Sequence, residues 1–123
     1  MTERLRILQL MSSRHYVGEA AHVIELSDAL RQRGHEVRLI LREGSSAVAE
    51  AAARGLPHQN AFRPRFFSPA RWWADYRVLR QAIQEFKPDI IHAHRSKEHW
   101  LAAATIAMMK GTKPALLRTR HVM

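Results

Sequence analysis

The apolar positions of this chain alternate between two spacings, and the alternation predicts the fold. Leu5, Ile7, Leu8 and Leu10 crowd residues 4–10 in a run of strand length, which a polar turn at 12–18 closes. From residue 19 to 33 the spacing becomes helical. Ala20, Val23, Ile24, Leu26, Ser27 and Leu30 share one side of the wheel, opposite Glu25, Asp28 and Gln32. Gly34 follows as a helix-closing glycine, and Val37, Leu39, Ile40 and Leu41 predict a second strand over 36–42. A short alanine-rich helix is expected from Ser45 or Ser46 to Gly55, then a weaker strand over 56–61.

Ser68 followed by Pro69 is a helix start, because proline in the first turn lacks only an amide hydrogen that would have no helical partner. That helix is expected to run to Phe86, where Lys87-Pro88-Asp89 stops it and launches a strand at 90–93. Ser96 caps a further helix to residue 110, Gly111 closes it, and 115–119 forms a fifth strand. Strands separated by helices, rather than by tight turns, require parallel pairing with right-handed crossovers. The expectation is an α/β chain of order βαβαβαβαβ: a doubly wound, Rossmann-like parallel sheet in one domain, residues 1–123.

In such sheets ligands bind beyond the carboxyl ends of the strands, which singles out Asp89-Ile90-Ile91-His92-Ala93-His94-Arg95-Ser96. Side chains alternate faces along a strand, so His92 and His94 point the same way. The carboxyl ends of the first, fourth and fifth strands gather Arg14, His15 and Gly18, then His94, Arg95 and Lys97, then Arg118, Arg120 and His121. This basic, imidazole-rich rim suits a diphosphate, with backbone amides at the Gly18 turn as further donors. One glycine in Tyr16-Val17-Gly18 is too few for a dinucleotide fingerprint. Met11, Ser12 and Ser13 provide none of the acidic residues of a phosphoacceptor receiver. No carboxylate or cysteine joins the rim histidines, so no metal is expected.

Charge narrows the partners. Sixteen arginines against four lysines contribute to a net charge of +9, which favours phosphate-bearing or anionic partners: a nucleotide-sugar, lipid headgroups or nucleic acid. The arginines are scattered and the aromatics form no stacking platform, which argues against nucleic acid. Within the helix beginning at Pro69, Trp72, Tyr76, Leu79, Ile83 and Phe86 form a core stripe, and Trp73, Arg77, Arg80 and Gln84 form a second one. The preceding loop adds Arg63, Arg65, Phe66, Phe67 and Arg71, so aromatics sit among cations as they do in interfacial segments. An anionic membrane surface, or a missing part of the protein, is the candidate partner there. There is no cysteine, and no signal peptide is read. The longest apolar run covers residues 101–109, where a spanning helix needs about twenty. A cytoplasmic address, peripheral on the inner membrane face, is the expectation.

Several segments, in order, resemble the N-terminal domain of a family-4-type glycosyltransferase, the retaining two-domain GT-B class that uses nucleotide-sugars. They are Ser12-Ser13-Arg14-His15-Tyr16 with its glycine turn, Arg33-Gly34-His35-Glu36-Val37, Lys87-Pro88-Asp89-Ile90-Ile91-His92-Ala93-His94, and Arg118-Thr119-Arg120-His121. The resemblance implies that Gly18 approaches the donor diphosphate, that His94 approaches the donor sugar as the catalytic-site histidine, and that glycan or lipid-linked acceptors bind this half. It implies no cofactor, the nucleotide-sugar being a substrate. The turn departs from the family's usual Gly-Gly-x-Glu, since Val17 stands for the first glycine and Glu19 precedes Ala20. The family's second, donor-binding domain has no counterpart here, so the expectation is part of a larger domain, completed by further chain or by a partner subunit. The alternative is a stand-alone anion-, membrane- or partner-binding module without catalysis. One open half cannot exclude water around an oxocarbenium-like transition state, so the 123-residue chain by itself is expected to show no substantial transfer when incubated with nucleotide-sugars and acceptor.

Overall fold

The computed structural model describes residues 4–11, 18–42, 46–61, 69–94, 96–109 and 114–118. Its elements are β1 (Arg6–Met11), α1 (Gly18–Gln32), β2 (Glu36–Arg42), α2 (Ser46–Ala53), β3 (His58–Ala61), α3 (Pro69–Phe86), β4 (Ile90–Ala93), α4 (Ser96–Met108) and β5 (Ala115–Arg118). All five strands pair in parallel in the order β3-β2-β1-β4-β5, the expected doubly wound arrangement.

Because side chains alternate across a pleated sheet, each face acquires its own core. Leu8, Leu10, Ile40 and Ile91 pack against Tyr76, Leu79, Ala82, Ile83 and Phe86 of α3 and Leu101 and Ala102 of α4. Met11, Leu39 and Leu41 pack on the other face against Val23 and Ile24 of α1 and Ala47 and Ala51 of α2. Of the helical stripes read from the sequence, Val23, Ile24 and Ser27 of α1 and Tyr76, Leu79, Ile83 and Phe86 of α3 are buried and Leu26 and Leu30 partly so, while the side chains of Ala20 and Trp72 lie outside the described ones. Asp28 is only half-buried on the polar side of α1, since Arg54 reaches it from the end of α2 at 3.5 Å and also holds Glu50 at 2.9 Å.

Two helices end by the same device. Gly34 takes φ +96°, its N–H reaches the Arg31 carbonyl at 3.0 Å, and the His35 N–H reaches Leu30 at 3.2 Å. Gly55 takes φ +67°, with Gly55 N–H on Ala52 at 3.1 Å and Leu56 N–H on Ala51 at 2.9 Å. Left-handed backbone of this kind costs a side chain strain that glycine avoids, which is why both positions are glycine.

Differences from the expected boundaries have local causes. The strand expected over 4–10 begins at Arg6, because the Leu5 N–H turns aside to the Nδ1 of His35 at 3.1 Å. The strand expected from 56 begins at His58, because Leu56 is buried as the apolar plug of the Gly55 helix end. The last described turn of α4 stops at Met108, two residues before the expected Lys110.

Lys87-Pro88-Asp89 proves to be a register device. The Arg6 N–H donates to the Asp89 carboxylate at 2.9 Å, the Asp89 N–H returns to the Arg6 carbonyl at 2.8 Å, and the Ala115 N–H reaches the Asp89 carbonyl at 3.0 Å. One residue thus aligns the entry of three strands. Arg4 and Arg6 both reach Glu36 at the same edge, at 2.8 and 3.2 Å; being exposed, these pairs add about 0–1 kcal/mol each.

Stability instead rests on the apolar layers. Ile91 is fully buried in the middle of β4, between the sheet and α3 and α4. Ile91→Ala should lower unfolding free energy by about 2–5 kcal/mol in urea titrations, whereas Arg4→Ala should change it by less than about 1 kcal/mol.

Candidate functional site

The reversal of strand order puts β1 and β4 side by side, with helices from the two halves departing to opposite faces. Such a switch point leaves a crevice beyond the strand ends. Gln9 of β1 is the register partner of His92 of β4, and both lie on the face that carries Leu39 and Met11. His94, the residue after β4, has the same parity as His92, and their ring centroids are 4.0 Å apart with planes tilted by 40°.

His94 is 3% exposed and Gln9 is 0% exposed. The Nε2 of His94 donates to the Oε1 of Gln9 across 2.8 Å, a bond between residues 85 positions apart. The amide nitrogen of Gln9 has no hydrogen-bond partner among the described residues. Buried polar groups are kept in proteins at a cost unless both ends are satisfied, so a polar pair between strands is a constraint rather than filler. The bond also fixes chemistry. With Nε2 committed as a donor, the ring nitrogen left as an acceptor in a neutral imidazole is Nδ1.

The residues named from the sequence divide as follows. His94 sits at the switch point, with His92 stacked beside it. Gly18 is the first residue of α1, the helix leaving β1 at this end of the sheet. Lys97 lies in the first turn of α4, but its side chain is outside the described residues. Arg14, His15 and His121, like Arg63, Arg65 and Phe66, lie outside them too. Trp73, Arg77 and Arg80 are all exposed along one stripe of α3, Trp73 at 54%. Among the described residues no group of three or more metal-ligating side chains comes together, and no helix is long and apolar enough to cross a membrane.

Two residues emerge that were not singled out as functional. Gln9 interrupts the apolar run of β1, and only the pairing of β1 with β4 gives it a partner. Trp100 is 68% exposed, the fifth residue of α4, as Trp73 is the fifth of α3. Both helices start at the carboxyl edge of the sheet, so both indoles belong to the end that holds His94.

The opposite edge holds a cavity of about 450 Å³ lined by Arg4, Arg31, His35, Arg38 and Phe86 among others. Its polar groups are already engaged in structure. Arg4 holds Glu36, Arg31 donates to the Gly55 carbonyl at 2.6 Å, and Arg38 lies 4.8 Å over the Phe86 ring. The chemistry is therefore sought at the carboxyl edge.

Comparison with known proteins identifies the family. The family model for Glycosyltransferase Family 4 matches residues 17–123. The chain belongs to this family. Its fold is similar to that of a glycosyltransferase from Rickettsia africae ESF-5, at 19% identity and TM-score 0.77 over 95% of this chain and 30% of that one. MurG from Acinetobacter baumannii is similar at 10% identity and TM-score 0.71, over 94% of this chain and 35% of that one. Anabaena HepE in complex with UDP and glucose is similar at 17% identity and TM-score 0.63, over 83% of this chain and 27% of that one. This family-4 glycosyltransferase chain thus spans about a third of the length of the solved glycosyltransferases it resembles. No curated protein sequence matches it.

Removing the imidazole leaves Gln9 buried with neither amide atom bonded to a described group. His94→Ala should therefore cost about 1–3 kcal/mol in a denaturant titration, less than the loss of a core isoleucine, and leave the protein folded.

Proposed function

We propose that this chain is the acceptor-side, N-terminal domain of a retaining glycosyltransferase that moves a sugar from a nucleotide-sugar to a cell-envelope glycan or lipid-linked acceptor. The observation that supports the reading most directly is His94: an imidazole at the switch point of a family-4 sheet, buried and oriented by a second buried side chain. Sugars are recognised through hydroxyls, and an imidazole of fixed tautomer discriminates donor from acceptor groups on them. Gly18 and the amino end of α1 belong to the same edge, where backbone N–H groups favour a diphosphate. Anabaena HepE, of similar fold, is described in complex with UDP and glucose, a ligand pair of the class proposed here.

In this reading the domain binds and orients, and a second domain supplies the remaining donor contacts and closes over the reacting centre. Transfer through an oxocarbenium-like transition state needs charge stabilisation in a site shielded from water, so the two halves act only together. A bound donor sugar is held at the switch point by His94 while the acceptor approaches over the carboxyl edge.

Lipid-linked acceptors fit the outer face of α3. Trp73 is exposed, Arg77 and Arg80 continue its stripe, and Trp100 adds a second exposed indole at the same edge. Indoles settle at the level of lipid headgroups, and each basic side chain near an anionic surface adds about 1 kcal/mol.

Two experiments test the reading with the full-length protein. In product-formation assays across nucleotide-sugars, His94→Ala should lower turnover by about two orders of magnitude while the protein stays folded; wild-type turnover in that variant removes His94 from the site. In sedimentation with anionic vesicles, the Trp73→Ala, Trp100→Ala double variant should bind about tenfold more weakly than wild type. Equal binding of the two proteins, or binding insensitive to salt, assigns this face to another partner.

A further inference from the structure

The amino edge of the sheet carries more positive charge than its own structure uses. Two adjoining hollows there, of about 450 and 320 Å³, share Arg4 and Glu36. Their carboxylates already have partners: Glu36 is held by Arg4 and Arg6, and Asp89 accepts the Arg6 N–H. Arg38 lines the larger hollow and Lys87 the smaller one, and neither side chain reaches an acceptor oxygen among the described residues. The engagement of Arg38 stops at the Phe86 ring, 4.8 Å below its guanidinium, a contact that steadies the charge and uses no acceptor. A half-buried guanidinium with its N–H groups unspent is poised for an oxyanion.

Lys87 is an independent sign of the same kind. It closes α3 with its N–H on the Ile83 carbonyl at 2.9 Å and takes φ +53°, the left-handed conformation that glycine supplies at the ends of α1 and α2. Glycine would adopt it without strain, so an exposed lysine side chain is kept here at a cost. Strain retained at one position points to a use for the side chain that stands there.

We propose that the amino-edge cavity binds a phosphorylated small molecule, with Arg38 on the phosphate oxygens, Lys87 adding charge from the adjoining hollow, and Val37, Pro57 and Phe86 against the body of the ligand. The planar guanidinium meets phosphate oxygens in pairs, whereas the ammonium acts as a point charge. Volume argues for an organic body, since about 450 Å³ lies within the range of small-molecule sites and exceeds what a bare phosphate fills. The length of the strands separates this cavity from His94, so its occupant is a second ligand, and the assignment is independent of the role given to His94.

The test titrates phenyl phosphate and inorganic phosphate, at constant ionic strength, into the ¹⁵N-labelled full-length protein. Phenyl phosphate should shift the amides of His35, Val37 and Lys87 saturably, leave those of Gly18 and His94 in place, and bind more tightly than inorganic phosphate. Arg38→Gln should weaken it about tenfold, while Arg80→Gln, the same loss of charge on the outer face of α3, should leave it unchanged. Lys87→Gly, which alters only an exposed side chain and relieves its backbone, should weaken binding about threefold with Tm equal or higher. Shifts that spread over both edges without saturating, equal weakening by Arg38→Gln and Arg80→Gln, or wild-type affinity in both Arg38→Gln and Lys87→Gly overturn the proposal. Inorganic phosphate binding as tightly as phenyl phosphate overturns the organic body of the ligand.

Discussion

The pairing of β1 with β4 is the contact on which the rest of this molecule depends. The strands on one side of β1 are reached through α1 and α2, and the strands on the other side through α3 and α4. Right-handed crossovers in opposite directions put these helix pairs on opposite faces of the sheet, so each face is covered by a different half of the chain. The double core and the meeting of Gln9 with His94 both follow from that one adjacency. Asp89, which binds both backbone groups of Arg6 and orders the start of β5, is the local means by which the adjacency is held in register.

The two edges of the sheet divide labour by chemistry. At the amino edge, polar and charged groups are consumed in structure: Glu36 by two arginines, Arg31 by a carbonyl, His35 by the Leu5 amide. Their energies are small individually because water competes for them. At the carboxyl edge the bond between His94 and Gln9 is buried within the sheet's own thickness, where hydrogen bonds hold geometry more firmly, and the half-buried His92 ring lies against His94. Exposed Trp73 and Trp100 add apolar surface to the same edge.

Most of the fold was legible in the sequence because helix ends are local. Gly34, Gly55, Pro69 and Pro88 act through backbone conformation at single positions, so the nine elements could be placed to within two residues where described. The displaced strand starts at Arg6 and His58 were not legible, since the diversion of Leu5 to His35 and the burial of Leu56 depend on tertiary neighbours. The candidate site was half legible. His94 was marked by its place after a strand, and the exposed stripe of α3 by its spacing. Gln9 was opaque: a glutamine in an apolar run carries no pattern, and its meaning appears only when a residue 85 positions away is brought beside it.

That separation has a consequence for how the molecule comes into being. During synthesis β1, β2 and β3 leave the ribosome with their helices before β4 exists, and they are able to pair among themselves. Throughout that interval the second edge of β1 presents bare amides and carbonyls to any extended chain, and a buried-to-be glutamine stands in water. The arrival of Asp89 and the strand behind it seals the edge and assembles the histidine pair in one step. The nascent chain is thus most open to mispairing at the strand that later pairs with β4, and a synonymous change that slowed translation between Ala61 and Asp89 would lengthen that exposure without altering a single side chain.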